Sequence, residues 1–473
     1  MQSTTLPSEN VPWWNLLNRT HWFVFAIASM AWMFDCLDQQ LFNLARDSAM
    51  KSFFPGDPSK ATAWGGNTTA IFVAGWAMGG LIFGSVGDKI GRAKTLTLTV
   101  LMYSLCTGLS AFSKNQWDFS IYRFITGLGV GGVFGLSVAL VADSLPDKAR
   151  PHALGMLQAL SAVGNITAAF IAMGVGYLEF KQSITPGSSW SNLFLIGALP
   201  AFLVVFIAIK LKEPEKWVKA KAEGKITGTK FGSYSELLGD PRWKGRAWAG
   251  LFLCLSGVVG VWGIGFFSPK LTGDVINKVL STEVKPEELE GAKTIWKGIT
   301  LLVQNIGAFI GMMAFTRLAS KYGRRPVFLI SFLSAMVSTY MVFRFLNSRQ
   351  DILWMIPIMG ICQMSVFSGF AIYLPELFPV SLRSTGVSFC YNVGRFFAAI
   401  GPFTLGNLAV WLTPNSTNAT DAVKAANNLQ GFRDACCWMS LIFLMGVIAL
   451  KFLPETKGKP LPEDEQIPLT EPD

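Results

Sequence analysis

The stretch Phe34-Asp35-Cys36-Leu37-Asp38-Gln39-Gln40 sets two carboxylates three residues apart inside an apolar run. On a helix that spacing puts both acids on one face. Asp35 follows His21 by 14 residues, which at 1.5 Å per residue is about 21 Å along the axis, deep in a bilayer. An acid at such depth costs about 2.5 kcal/mol or more and normally faces a polar cavity, where it handles protons or ions. For Asp38 the plainer alternative is an acid at the outer end of the helix. Arg123 reaches a comparable depth in a later run that starts near Asp118, which makes it the natural partner of Asp35 or Asp38. Arg395 lies twelve residues after Arg383, about 18 Å along its own helix and near the midplane. No intramembrane acid is obvious beside it. A substrate carboxylate gripped by the two-pronged guanidinium would complete it; the alternative is a backbone carbonyl or an acid from elsewhere in the chain.

Val163-Gly164-Asn165 and Val393-Gly394-Arg395 share a local pattern, so Asn165 occupies the position that matches Arg395. Gln304, Asn305, Gln363, Tyr391 and Asn392 are candidate polar lining for a substrate, and Trp262, Phe266 and Tyr373 candidate apolar walls. A polar side chain in a helix bundle can equally serve to bridge helices.

The elements that must hold these groups are membrane helices. Of 473 residues 51% are hydrophobic and 15% charged, against roughly 25% charged in a soluble domain. Apolar runs of about 20 residues, enough to cross a roughly 30 Å hydrocarbon core, occur near 21–45, 67–86, 95–113, 118–142, 152–178, 190–211, 246–270, 294–318, 326–346, 351–375, 386–412 and 431–453. The formal charge of +10 is spread through short loops, which argues against a nucleic-acid partner. Lys89, Arg92 and Lys94, the basic stretch from Lys212 to Arg246, and Arg317, Lys321, Arg324 and Arg325 fall in alternate loops. The positive-inside rule assigns those loops to the cytoplasm, which puts both termini inside. A polar start up to Val11 and a long first apolar run do not fit a cleavable signal peptide. The expectation is a monomeric protein of the plasma (inner) membrane. The seven cysteines have no metal-type spacing and read as small buried hydrophobes. The two histidines, His21 and His152, have no nucleophile constellation near them, so neither an enzyme nor a cofactor is expected.

Two segments repeat 232 residues apart: Gly87-Asp88-Lys89-Ile90-Gly91-Arg92 and Ala319-Ser320-Lys321-Tyr322-Gly323-Arg324. Asp143 precedes Arg150 by seven residues, as Glu376 precedes Arg383. The chain reads as a duplication, with a bundle of six helices over 1–211, a linker over 212–245 carrying one surface helix, a second bundle over 246–453, and a Pro- and acid-rich mobile tail over 454–473. Loops 46–66 and 271–293 are expected outside, the second with Glu283, Glu287, Glu288 and Glu290 solvating it. Asn67, Asn415 and Asn418 open N-x-[ST] triplets, a pattern common by chance. Glycines four apart (Gly75 and Gly79, Gly127 and Gly131, Gly307 and Gly311) predict close helix crossings, static or sliding.

Gly84, Asp88, Lys89, Gly91 and Arg92 fit the pattern G-x-x-x-D-[RK]-x-G-[RK], and Arg123-x-x-x-Gly127 fits a fourth-helix pattern. With the half-repeat, the chain resembles the major facilitator superfamily over essentially its whole length. The resemblance implies an all-α membrane protein with twelve transmembrane helices in two six-helix pseudo-symmetric halves. It implies a cytoplasmic gate at Gly84, Asp88, Gly91, Arg92 and Arg324, in which Asp88 and Arg92 latch the halves together with Asp143, Arg150, Glu376 and Arg383 as partners. An acid is favoured near the N-terminus of a helix in the opposite half, because the helix dipole is positive there. Ser320 stands where the second copy should carry the acid, so the latch is expected to be one-sided.

Within the superfamily, the paired acids, Arg123, Arg383 and Arg395 resemble the aromatic acid/proton symporters, which carry Asp-Gly-x-Asp where this chain has Cys36 in place of glycine. Lys212-Glu213-Pro214 and Pro454-Glu455-Thr456-Lys457-Gly458 are similar to sugar-porter signatures, although the seventh expected span, 246–270, lacks the glutamine pair of those proteins. The expected function is proton-coupled symport of a small organic anion, such as an aromatic acid or an acidic sugar. Asp35, Asp38 and Arg123 would couple the proton, the gradient would be the driving force, and the two halves would expose the site alternately. The alternative is a sugar-type uniporter in which Asp35 is structural. A sensor built on this scaffold would need a sizeable signalling domain, and the soluble stretches are about 35 residues or shorter.

Overall fold

The computed structural model describes residues 12–181, 183–185, 188–280, 289–414 and 421–463, and among these no strand occurs. The helices are α1 (Arg19–Phe53), α2 (Pro58–Ile90), α3 (Arg92–Ser110), α4 (Gln116–Ser144), α5 (Arg150–Phe180), α6 (Ser189–Ala208), α7 (Glu215–Thr227), α8 (Tyr234–Gly239), α9 (Pro241–Trp262), α10 (Ser268–Leu280), α11 (Leu289–Tyr322), α12 (Arg324–Phe345), α13 (Arg349–Tyr373), α14 (Arg383–Leu412), α15 (Asp421–Met439) and α16 (Phe443–Ala449). Among the described residues nine helices are long and apolar enough to cross a membrane. Helices α3, α6 and α14 stand at the other three expected spans. Leu105, Ile121, Phe170, Ile330 and Ile448 are exposed on the outside of the bundle, where lipid rather than water covers them.

Local sequence sets the helix ends. Asn18 and His21 form a capping box at the start of α1, Ser348 and Asp351 another at the start of α13, and Asn115 caps α4. The repeated motif ends α2 and α11 in the same way: Gly91 (φ 123°) and Gly323 (φ 102°) take a backbone conformation that favours glycine, and a new helix starts at the next residue. A distant carboxylate then caps each new helix. Glu213 accepts the N–H groups of Arg92 (2.7 Å), Ala93 (3.1 Å) and Lys94 (3.1 Å), and Glu455 accepts those of Arg324 and Arg325 (both 2.9 Å). Helix N-termini leave such donors without partners and carry partial positive charge, which explains acids in both places.

The glycine pairs work as close crossings. A Cβ at Gly75, Gly79, Gly127 or Gly131 would collide with backbone between α2 and α4, and one at Gly307 or Gly311 with the carbonyls of Pro357 or Ile361 on α13. The two sets of helices meet where α14 packs on α2 and α4, and where α11 and α13 pack on α5.

Several boundaries differ from expectation. Loop 46–66 shrinks to four residues, because α1 continues to Phe53 and Pro58, behind the Asp57 cap, starts α2; Asn67 therefore lies within a helix. The expected span 246–270 breaks after Trp262 at Gly263 and Gly265, residues that weaken a helix, and α10 follows in place of a loop. The stretch 212–245 holds two helices, α7 and α8, rather than one. Asn415, Asn418, Glu283, Glu287, Glu288 and the end of the tail (464–473) lie outside the described residues, as do the side chains of Glu290 and Phe266.

Candidate functional site

Arg395 of α14 is almost fully buried and lies flat against aromatic rings, its guanidinium carbon 3.6 Å from the centre of the Trp76 ring and 4.4 Å from that of Tyr391. Its Nη1 donates to Asn392 Oδ1 at 2.5 Å. The planar guanidinium favours this stacking, where an ammonium would seek water. Tyr391 in turn stacks on Phe134 of α4 (centroids 4.0 Å), and Trp262 meets Trp76 edge-on at 6.0 Å. An aromatic box thus surrounds one cation at the seam between the two sets of helices.

Asp35 faces that seam. It is fully buried, accepts from Gln39 Nε2 at 3.2 Å, and its Oδ1 has no hydrogen-bond partner among the described residues. Arg395 lies within electrostatic range of it. Of the alternatives left open for Arg395, an acid from elsewhere in the chain is thus in range: it comes from α1, which only the tertiary fold brings close.

Asp38 belongs to a different arrangement. Arg123 approaches it at 3.5 Å, Thr107 Oγ1 donates to it at 2.7 Å, and Arg123 also donates to Ser110 (3.0 Å), Thr107 (3.1 Å) and Thr126 (3.1 Å) while lying over Phe194. Of the two acids offered to Arg123 by the sequence, the structure thus pairs Asp38. Three residues along α1 are enough to aim one acid at α3 and α4 and the other at the seam.

The remaining lining candidates divide. Asn165 donates to Asn305 Oδ1 at 3.0 Å and so joins α5 to α11, while Asn392 donates to the carbonyl of Gly131 at 3.4 Å and joins α14 to α4. Gln304 accepts from Ser268 at 3.1 Å. Gln363 is engaged with Thr339 Oγ1 at 2.7 Å, within the packing of α12 on α13. Tyr373 is not a wall of this box. It ends α13, 24 residues or about 36 Å from the start of that helix, so it lies at the opposite surface, where its hydroxyl donates to the Pro454 carbonyl.

A second cluster lies at the end of the bundle that carries the repeated motif. Asp88 accepts from Arg92 Nη2 (3.1 Å), from the N–H groups of Ser384 (3.1 Å) and Thr385 (2.8 Å), and from Thr385 Oγ1 (2.7 Å). Arg92 also donates to the Val380 carbonyl at 2.6 Å, and both Arg92 and Arg383 donate to Asp143. Gly84 lets α2 touch α14, since a Cβ there would strike Ser388, and one at Gly91 would strike Glu213. Two expected partners stay within their own half. Arg150 donates to Asp147 and to the Ala142 carbonyl, and Glu376 is held bidentately by Arg324 (2.8 and 3.1 Å) and by Thr456 (2.5 Å). Ser320 donates to the Thr316 carbonyl of its own helix, and among the described residues the second copy of the motif sends no acid across the seam.

Sequence reading missed four contributors. Trp76 carries Arg395 but sits unmarked in an apolar run. Glu213 and Glu455 were visible only as parts of family signatures, with no hint of their capping role. Gly232, between α7 and α8, accepts from Ser85 and donates to the Ser381 carbonyl, which ties the connecting segment to both sides.

The family described as the Major Facilitator Superfamily matches residues 22–282 and 290–468. A putative metabolite transport protein of Haemophilus influenzae is 27% identical over 418 residues, covering 87% of this chain and 92% of the relative. The cis,cis-muconate transport protein of Acinetobacter baylyi is 26% identical over 387 residues, covering 81% and 87%. The fold is similar to that of the proton:xylose symporter XylE bound to 6-bromo-6-deoxy-D-glucose, with a TM-score of 0.70, 18% identity, and 93% of this chain and 97% of that one covered. A buried charged box between two sets of packed helices, the repeated motif and these matches lead to one conclusion: the chain is an integral membrane transporter that belongs to the Major Facilitator Superfamily.

Proposed function

We propose that the protein carries a small organic anion with a carboxylate group by alternating access, in symport with protons. One observation carries this reading: Arg395, a permanent cation, is buried at the seam on aromatic faces and an amide oxygen, with Asp35 of the other half within electrostatic range. A substrate carboxylate takes the guanidinium fork, and a flat substrate body packs against Trp76, Trp262 and Tyr391. Similar proteins are described as carriers of muconate, benzoate and gentisate, all carboxylates. Asp35 exchanges a proton as the seam opens to either side. Asp38 with Arg123 holds α1 in place for that task.

The cluster around Asp88, Arg92, Asp143 and Arg383 is the gate, and it is cytoplasmic by the positive-inside rule, with both termini inside. The halves 1–211 and 246–453 rock about the site within a single chain of the plasma (inner) membrane, and the segment 212–245 joins them. Benzoate and muconate uptake into proteoliposomes under an imposed inward proton gradient tests the proposal. Uptake that collapses with a protonophore is expected. Uptake indifferent to the gradient would make the protein a uniporter, and no uptake of any carboxylate would remove Arg395 from substrate binding.

A further inference from the structure

The lipid-facing surface between α12 and α15 carries a groove of about 460 Å³ whose walls include Met336 and Leu441. Both walls belong to membrane-spanning segments, Arg324–Phe345 and Ala426–Phe452, so acyl chains rather than water reach it. Met336, Val337 and Leu441 give it apolar lining, but one end is charged: Arg344 Nη1 lies 3.1 Å from Asp434 Oδ1, with both side chains partly exposed (43% and 33%). Arg344 comes 20 residues after Arg324, about 30 Å along the helix, which is the thickness of the hydrocarbon core. Asp434 is 18 residues before Phe452, about 27 Å by the same measure. The pair therefore stands at headgroup level in the leaflet opposite the Asp88–Arg92 end. Tyr340 and Trp438, 45% and 62% exposed, flank it with the amphipathic rings that suit this depth.

We infer that this groove is a binding site for a phospholipid with a primary-ammonium headgroup, of the phosphatidylethanolamine class. The Arg344 guanidinium takes the phosphate, and the Asp434 carboxylate takes the ammonium, which can donate hydrogen bonds to it. Gln430 already orients Asp434 by donating to both its oxygens at 2.9 and 3.0 Å. A choline headgroup has no N–H to offer Asp434, and a glycerol headgroup has no cation to answer the Asp434 carboxylate. One acyl chain fills the groove along Met336 and Leu441. The inference rests on the fold and not on the transported substrate.

The full-length protein in nanodiscs of equal parts phosphatidylethanolamine, phosphatidylcholine and phosphatidylglycerol, released for native mass spectrometry, provides the test. Phosphatidylethanolamine is expected to be retained about three- to fivefold over each of the others, the worth of one partly exposed charge contact. Asp434→Asn should erase the preference over phosphatidylcholine, and Arg344→Gln should lower retention of all three. Brominated phosphatidylethanolamine should quench Trp438, read as the difference between the native protein and Trp438→Phe. Equal retention of the three lipids by the native protein overturns the proposal without recourse to any variant, and so does an undiminished preference in Asp434→Asn. A dimer that disappears in Trp438→Ala would assign the groove to a second copy and overturn it as well.

Discussion

Asp88 on α2 takes both the backbone N–H and the hydroxyl of Thr385, at 2.8 and 2.7 Å, so a carboxylate from one half completes the first turn of α14 in the other. The contact has an electrostatic logic: the free N–H groups and partial positive charge of a helix start are offered to an acid. Arg383 donating to Asp143 and Arg92 donating to the Val380 carbonyl add contacts across the same seam.

Asp88→Asn should therefore weaken closure at this end. The variant keeps one acceptor oxygen and loses the charge, a change worth about 1.5–3 kcal/mol for a hydrogen bond to a charged group, or roughly ten- to hundredfold in the closed-to-open ratio. Spin labels on the exposed residues Lys148 and Tyr322, on opposite halves, should report a longer distance population by double electron–electron resonance. An unchanged distribution would show that Asp143, shared by Arg92 and Arg383, holds the halves without help.

The two acids of α1 should part company on mutation. Asp35→Asn is expected to melt close to the native protein and to lose uphill uptake while exchange of preloaded substrate continues. Asp38→Asn breaks a buried pair with Arg123 and should cost about 3–5 kcal/mol, seen as a lower melting temperature and poor yield. Reversed behaviour of the two variants would transfer the proton role to Asp38.

Arg395→Lys keeps the charge and loses the flat face that stacks on Trp76 and the fork that meets a carboxylate. Loss of about 1.5–3 kcal/mol is expected, so KM for a carboxylate should rise roughly ten- to hundredfold, and carboxylate-induced thermal stabilisation should vanish. Native-like KM in this variant would show that charge alone suffices.

Close helix crossings supply a packing test. A Cβ at Gly131 would strike the Trp76 carbonyl and the backbone at Gly80, none of which can swing aside, so Gly131→Ala should cost about 1–3 kcal/mol and disturb the ring beneath Arg395. Gly174→Ala, with nothing within 4 Å, should be neutral or stabilising by up to about 1 kcal/mol from helix propensity. Equal melting temperatures for the two variants would contradict the crossing geometry.

Acid should loosen the start of α12. Burial pushes the Glu455 carboxyl up, but the N–H groups of Arg324, Arg325, Lys457 and Thr456 outweigh it and hold the group below its ordinary value. A depressed folded value means that its stabilisation is complete above the unfolded carboxylate range near 4.3 and is lost as pH falls through the folded value. Hydrogen exchange of the Arg324 and Arg325 amides should speed up in that acid window, and Glu455→Gln should remove the pH dependence. Exchange that stays flat in the native protein would show that the cap does not depend on charge.

Much of the architecture was legible in the chain. Apolar runs, the 232-residue repeat and the glycine ridges announce a duplicated membrane bundle, because backbone groups in lipid must be satisfied within helices and helices there must pack by close contact. The placement of Asp88 at a contact between the halves came from the family resemblance, and the helix dipole supplies a physical reason for an acid there. Boundaries were less so: Asp57 and Pro58 convert an expected loop into the start of a helix, and Gly263 and Gly265 cut a span that hydrophobicity alone runs through.

What the sequence determined by itself is which residues are too costly to leave in lipid: Asp35, Asp38, Arg123 and Arg395 all had to find polar surroundings, whatever the fold. Which partner each one found was decided by the tertiary structure. Arg123 took Asp38, Arg395 took Trp76, Tyr391 and Asn392 with Asp35 in range, and Tyr373 went to the far surface. Periodicity fixes a residue's depth and face along its own helix to within a turn. It carries no information on how far neighbouring helices are rotated or tilted, and an angular difference of a few tens of degrees is enough to send one carboxylate into a bundle and another, three residues earlier, to the seam.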